Sequence, residues 1–213
     1  MQILHLSLAA LLFSTSMSYG FEQGSLGEPF SSKGYTQGCG VIEGAGQACS
    51  VVSLGTIFIA YDGGETSPEV MAILRALPQS SAVTIEGDIL NFGDITAEVA
   101  FSNVIRIADD LEEETIQALS GIWTITDLLG QRVQIDGSIW TDFDGQEKVD
   151  SYVVSYGPAC ADGVEPGGVA MVLTKMGGDP GLAAECYQVE YIGNDVLTLR
   201  EIPEYIRIEM VRE

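Results

Sequence analysis

The side chains best suited to catalysis are scarce in this sequence. Its only histidine is His5, which lies in an apolar stretch at the N-terminus. Without a histidine elsewhere, the chain has no Ser-His-Asp or Cys-His catalysis, no histidine-bound zinc and no ordinary base that titrates near neutral pH. We therefore predict no catalytic residue, no metal site and no cofactor. An enzyme built from this chain would depend on carboxylates, lysine or tyrosine.

The four cysteines are the other reactive side chains. Cys39 and Cys49 flank a glycine-rich segment, and Cys160 and Cys186 lie in the second half of the chain. No Cys-x-x-Cys pair supplies the ligand spacing of a zinc site. In an oxidising compartment such cysteines form disulfides, with free thiols or a redox role as the alternatives. Of the three possible pairings we predict 39–49 and 160–186, because each bond then stays within one proposed domain.

Two acidic stretches have the composition of metal sites but are better explained by local structure. Trp140 to Glu147 resembles part of a calcium loop, yet Trp140 and Ser151 occupy the first and twelfth positions, which require oxygen ligands. An Asp144-Gly145 hairpin turn explains the segment. Weak calcium binding is the alternative.

The acidic run from Glu112 to Glu114 follows Asp110. We predict that Asp110 and Glu113 form a capping box and that the negative charges favour the start of a helix. This helix is expected over residues 111–119, within a linker at residues 109–120.

Residues 1–20 have the features of a signal peptide. The apolar run from Ile3 to Phe13 is followed by small residues at Ser18 and Gly20, which favour cleavage before Phe21. The run is too short to cross a membrane. A buried N-terminal segment is the alternative. We predict a secreted or periplasmic protein without a membrane span.

The net charge restricts the class of partner. The chain has 31 Asp and Glu against nine Lys and Arg, a formal charge of −22. Nucleic acids and anionic lipid surfaces require a basic footprint, so both are excluded. Acidity favours solubility, or a basic partner attracted over a distance.

The first half is predicted to be a flexible leader, residues 21–38, followed by a small α+β domain, residues 39–108. Glycine and serine dominate the leader. The domain contains a helix capped by Thr66 or Ser67, with one apolar stripe of Val70, Ile73, Leu74 and Leu77. The hairpin that follows has one acidic face. A helix followed by such a hairpin is similar to small oligonucleotide- and oligosaccharide-binding barrels, but the acidic face argues against nucleic acid.

Short strands separated by tight turns fill the second half, residues 121–213. We predict strands near residues 122–127, 131–136, 138–142, 147–156, 167–175, 184–192, 195–200 and 204–211. This pattern indicates an antiparallel meander that closes into a compact barrel. The fold class is therefore mainly β.

The start of this region, Gly121-Ile122-Trp123 after a short helix, resembles the lipocalin and calycin group of barrels. In that group the tryptophan packs across the closed end, often beneath an arginine from the last strand. The resemblance implies this role for Trp123, with Arg207 or Arg212 above it through a cation–π contact. Because the region spans only about 90 residues, we expect a barrel filled by its own side chains.

The sequence favours a secreted or periplasmic binding protein without enzymatic activity. The ligand is a small molecule at the barrel mouth, or a basic secreted enzyme such as a lysozyme or protease. A structural envelope protein and a carboxylate-pair glycan hydrolase are the alternatives. Four tyrosines at strand spacing are predicted to pack in the core or rim, with a sugar platform as the alternative: Tyr152, Tyr156, Tyr187 and Tyr191.

Overall fold

The computed structural model describes residues 21–128, 130–160, 168–177 and 184–213, so the predicted signal segment lies outside the described residues. The described chain is mainly β and forms two closed barrels joined by a short helix. Among these residues no helix is long and apolar enough to cross a membrane.

The first barrel has five strands in the order β1-β2-β3-β5-β4. Its β3 and β5 run parallel, whereas the other pairs are antiparallel. A helix, α1, connects β3 to β4, an arrangement similar to oligonucleotide- and oligosaccharide-binding barrels. The elements are β1 (Glu28–Ile42), β2 (Gly46–Ser53), β3 (Thr56–Tyr61), α1 (Pro68–Ala76), β4 (Ala82–Phe92) and β5 (Thr96–Arg106).

The prediction of a flexible leader over residues 21–38 is wrong, because β1 begins at Glu28 and pairs with β4. The residues before β1 are held by the buried Asp88. Its carboxylate accepts hydrogen bonds from the main-chain N–H groups of Gly24 at 2.6 Å, Leu26 at 2.8 Å and Gly27 at 3.2 Å. Burial opposes ionisation, but these donors outweigh it and hold the pKa of Asp88 below its usual range.

Helix α1 begins as predicted, but the set of side chains that it buries differs from the predicted stripe. Ser67 caps it, its hydroxyl accepting from the Val70 N–H at 3.3 Å. Met71 is buried with Val70 and Leu74, whereas Ile73 is 44% exposed. The predicted stripe is therefore wrong at Ile73. Met71 and Leu74 lie one turn apart on the face that covers the barrel, and Ile73 lies beside that face.

Helix α2 (Leu111–Leu119) is present where it was predicted, with Asp110 as its cap. The Asp110 carboxylate accepts from the Glu113 N–H at 3.0 Å. In a capping box, the Glu113 carboxylate would accept a hydrogen bond from the Asp110 N–H. Here it accepts instead from the Ala82 N–H at 2.8 Å and pairs with Arg106 at 2.6 Å. Glu113 thus ties α2 to the first barrel.

The second barrel is a closed antiparallel meander of eight strands, which confirms the predicted architecture. Side chains from these strands and from the end of α2 fill its interior, including Leu119, Trp123, Val133, Ile135, Trp140, Tyr152, Val154, Met171, Leu173, Tyr187, Leu197, Leu199 and Met210. The strands are β6 (Gly121–Ile125), β7 (Gln131–Asp136), β8 (Ile139–Asp144), β9 (Glu147–Gly157), β10 (Ala170–Lys175), β11 (Glu185–Ile192), β12 (Val196–Ile202) and β13 (Arg207–Arg212).

Trp123 closes one end of this barrel beneath Arg212. The indole is fully buried and donates to the Leu119 carbonyl at 2.7 Å, and the Arg212 guanidinium lies 4.1 Å from its centroid. Arg207 is not the stacking arginine. Side chains alternate along β13, so Arg212 points inward with Met210, whereas Arg207 points outward and pairs with Glu190.

Gly121 makes room for this arginine. Its φ is +146°, and a Cβ there would lie 2.4 Å from Arg212 Nη1. The same guanidinium donates to the carbonyls of Ala118 and Ser120 at 2.7 Å and of Asn194 at 2.8 Å. A side chain at Gly121 therefore displaces Arg212 from three acceptors at once.

Both predicted disulfides are formed. Cys39 and Cys49 face each other directly across β1 and β2. Cys160, which follows β9, is bonded to Cys186 in β11. Each bond lies within one barrel.

We expect Gly121→Ala to lower the free energy of unfolding by about 3 kcal/mol, because it adds backbone strain and displaces Arg212. Gly145→Ala is the matched control: its φ is +59° but a Cβ there meets nothing within 4 Å, so about 1 kcal/mol is expected. Chemical denaturation measures both. In Gly121→Ala/Arg212→Ala the loss should be smaller than the sum of the single losses. Equal costs at Gly121 and Gly145, or full additivity, would contradict this account.

Candidate functional site at the mouth of the second barrel

The end of the second barrel opposite Trp123, here called the mouth, is lined by carboxylates. Inward-facing positions alternate along each strand. On four strands, an acidic residue lies two positions closer to the mouth than an inward-facing core residue. The acid and core residue are Asp142 and Trp140 on β8, Asp150 and Tyr152 on β9, Glu185 and Tyr187 on β11, and Glu201 and Leu199 on β12. We call these four residues the acidic ring.

Two members of the acidic ring face each other across neighbouring strands. Asp142 and Asp150 are direct partners on β8 and β9. Glu201 is the partner of Tyr187 on β11 and β12. Like charges directly opposite each other destabilise a sheet. Lys175 pairs with Asp150 at 2.6 Å and offsets part of this repulsion.

Aromatic rings form the floor below the acidic ring. Trp140 and Tyr187 stack with their centroids 6.2 Å apart and their planes 5° from parallel. The Trp140 indole donates to Asp142 at 2.6 Å, and the Tyr187 hydroxyl donates to Glu185 at 2.8 Å. The floor therefore fixes the position of two carboxylates.

The four predicted tyrosines separate in the structure. Tyr152 and Tyr187 lie in the core beneath the mouth. Tyr156 lies near the closed end, where its hydroxyl donates to the Gly137 carbonyl at 2.9 Å and its ring meets Tyr35 edge-on. Tyr191 is 57% exposed. They share no surface that would form a single sugar platform.

Several groups at the mouth have pKa values raised above their ordinary values. Burial raises the pKa of Asp142, and the charges of Glu185 and Asp150 add to that effect, although the Trp140 donor opposes it. Burial and the neighbouring Glu204 and Glu185 raise the pKa of Glu201. Burial and the charges of Glu185, Asp142 and Asp150 raise the pKa of Tyr152 to about 12. Burial is the largest cause of each shift, and the neighbouring negative charges add to it.

Exposed apolar side chains accompany the acids around the mouth. They belong to the turns at this end and to the start of β9: Leu128, Val149, Tyr205 and Ile206, which are 47%, 58%, 60% and 53% exposed. Carboxylates are suited to an ammonium or guanidinium group, and the apolar rim adds surface that a protein partner can cover.

The acidic stretch from Trp140 to Glu147 spans the end of β8, a turn and the start of β9. Asp144 ends β8, and the turn through Gly145 leads into β9, which confirms the hairpin turn. Among the described residues no group of three or more His, Cys, Asp or Glu side chains converges to hold a metal ion.

A cavity of about 160 Å³ lies where the two barrels meet. Its charged lining residue Lys33 pairs with Asp110 at 2.6 Å and also with Glu112, and Glu112 accepts from the Tyr35 hydroxyl at 2.8 Å. Burial and this carboxylate raise the pKa of Tyr35. The polar groups satisfy one another, so we assign this cluster to holding α2 against the first barrel.

The acidic ring was not predicted from the sequence. Asp142 was considered only as part of a calcium-like run, and no role was predicted for the other three acids. One signal was present: in β8, β9 and β11 an acid lies two residues from an aromatic residue, as in Trp140-Thr-Asp142 and Asp150-Ser-Tyr152. The predicted structural residues Gly121 and Trp123 lie at the opposite end of the barrel.

No protein-family model, curated protein or solved structure matches this chain.

We expect Asp142→Asn to stabilise the protein at neutral pH by up to about 1 kcal/mol, because it removes a charge that faces Asp150. The folded pKa of Asp142 is raised, so wild type and variant are similar below the unfolded pKa. As the pH rises from there through the folded pKa, the wild type loses stability relative to the variant.

Urea denaturation at a series of pH values measures this difference. Asp94→Asn, which changes an exposed acid in the first barrel, is the control and should show no such trend. A variant that is less stable than the wild type at neutral pH would refute the repulsion described here.

Proposed function

We propose that this chain is an exported binding protein without enzymatic activity that recognises a positively charged protein at the mouth of its second barrel. The observation that carries the proposal is the acidic ring above the stacked rings of Trp140 and Tyr187. A lysine or arginine side chain placed there would gain charge-assisted hydrogen bonds to the carboxylates.

The filled interior supports recognition at the surface over carriage of a small ligand. A barrel that carries a ligand encloses an open cavity. Here large side chains such as Trp140, Met171 and Tyr187 occupy the centre and are at most 9% exposed. The contact area is therefore concentrated at the mouth.

Export to the periplasm or the cell exterior is supported by two disulfides, which persist in oxidising compartments. A relationship to lipocalin-type barrels is supported by the closed eight-stranded meander and by Arg212 over Trp123. This relationship concerns architecture and supplies no binding residue.

A basic secreted enzyme, such as a lysozyme or a protease, has the charge that fits the mouth. With a net charge of −22 the protein attracts a basic partner over a distance, which speeds encounter. The apolar rim then supplies the contacts that keep the partner bound.

We expect the protein to bind and inhibit at least one basic lysozyme or protease, and binding to weaken at high salt because the charges are screened. Neutralising the acidic ring as Asp142→Asn, Asp150→Asn, Glu185→Gln and Glu201→Gln should lower the affinity at least about 100-fold. Titration calorimetry and inhibition assays at about 0.05 M and about 0.5 M salt measure both effects.

The matched control neutralises four exposed acids of the first barrel, Glu43→Gln, Glu65→Gln, Asp94→Asn and Glu98→Gln. It changes the net charge by the same amount and should lower the affinity several-fold at most. Equal losses in both variants would assign binding to overall charge. Absence of binding to every basic enzyme tested would remove the proposal and favour a structural envelope protein.

A carboxylate-pair glycan hydrolase is the second candidate, because Asp142 and Asp150 face each other in different environments. Asp142 is raised in pKa, while Asp150 pairs with Lys175, and such a difference separates a general acid from a carboxylate base or nucleophile. Under this hypothesis, the wild type releases reducing sugar from a soluble glycan and Asp142→Asn does not. We expect no release from either protein.

A further inference from the structure

One stretch of β1 has an edge that no other strand of the described residues covers. The first part of β1 pairs with β4 as far as Tyr35, and its last part pairs with β2 from Tyr35 to Ile42. Beyond Thr36, which bonds to Ser80 and Ser81, nothing in the described part of the chain pairs with the outer edge of residues 38–42.

The hydrogen bonds of β2 show which main-chain groups face this edge. The Asp62 N–H donates to the Gln47 carbonyl at 2.9 Å, so Gln47 and, two residues on, Cys49 direct their main-chain groups towards β3. Their partners on β1, Val41 and Cys39, therefore direct their N–H and C=O groups away from β2. These four groups are a template for an added strand.

The edge lacks two of the features that normally block such pairing, although a β-bulge between Thr36 and Gly38 precedes it. Residues 34–42 contain no charged residue and no proline. Val41 is 73% exposed and Ile42 is 37% exposed. A cavity of about 410 Å³ is lined by residues 37–42 of β1, residues 48–50 of β2 and Gln79.

We propose that this edge is a homodimer contact, in which β1 of a second copy adds antiparallel to Cys39–Val41. A two-fold axis at Gly40 aligns Cys39 of each copy with Val41 of the other and satisfies all four free groups of each edge. Gly40 of one copy then lies opposite Gly40 of the other in a non-hydrogen-bonded pair. The two strands approach closely there, and the absence of a side chain on Gly40 permits this. Ile42 lies opposite Gly38, a large residue beside a small one.

The net charge of each copy makes the population of this dimer depend on salt concentration. Each copy carries −22, so the two bodies repel one another at low salt, while the pairing edge itself is neutral. Added salt screens the repulsion and strengthens the dimer. The acidic mouth shows the opposite salt dependence towards a basic partner, so the two contacts are separable by experiment.

Sedimentation equilibrium of the purified protein over a range of concentrations, at about 0.05 M and about 0.5 M salt, tests the proposal. We expect a weak dimer, in keeping with a small interface, whose population rises at least several-fold with salt. Val41→Pro removes an N–H that has no acceptor in the described part of the chain, and Val41→Lys places a charge on the edge. Each should raise the dissociation constant at least about tenfold.

Phe92→Lys is the matched control, since Phe92 is 60% exposed on the first barrel outside this edge; it should dimerise like the wild type. Thermal unfolding establishes that each variant is folded. Amide exchange gives a site-specific readout: the N–H groups of Cys39 and Val41 should become protected as concentration rises, whereas that of Gly40, which faces β2, should not change. A protein that is monomeric in every condition, or a dimer that survives both Val41 variants, would overturn the proposal.

Discussion

Arg212 holds together parts of the second barrel that are far apart in the chain. It lies on the last strand, stacks on Trp123 of the first strand, and bonds to carbonyls at the end of α2 and in the turn at Asn194. Barrel closure, the end of the helix and the packing of the closed end therefore depend on one guanidinium. Gly121 permits it because no side chain occupies that space.

The same contact connects the two barrels through α2. Asp110, Glu112 and Glu113 at the start of the helix bind Lys33 and Arg106 of the first barrel. Arg212 of the second barrel binds carbonyls at its end. Negative groups at the start and a cation at the end both suit the helix dipole. A helix that sequence analysis treats as a linker is thus clamped at both ends.

Scarce positive charge explains why the mouth stays acidic. Of the nine Lys and Arg residues, seven form ion pairs, Arg212 serves the closed end, and Lys148 lies near the start of β9 at the mouth. Lys175 supplies a positive charge at the mouth, where it partners Asp150. Four inward-facing carboxylates consequently remain in excess over cations. Such an arrangement costs stability, and a cationic partner would relieve that cost.

Local patterns in the sequence predict the local elements of this protein, and non-local contacts account for what they miss. The meander, α2 and both disulfides follow from turn spacing, a cap residue and cysteine positions. The prediction of a flexible leader was wrong because the carboxylate of Asp88, more than 60 residues away, accepts hydrogen bonds from the main-chain N–H groups of Gly24 and Leu26. The choice between Arg207 and Arg212 depends on strand parity, and the acidic ring depends on strand pairing; neither is fixed by composition.

The position of β13 also determines the order in which the two barrels can form during synthesis. The first barrel is complete once β5 has been made, because all its strand pairs lie before Ile107. The second barrel has no partner for β6 on one side until β13 arrives, and Ser120 and Arg212 are 92 residues apart. Its apolar interior therefore remains unsealed until nearly all of it has been translated, and the early folding of the first barrel leaves the second as the slow, aggregation-prone step.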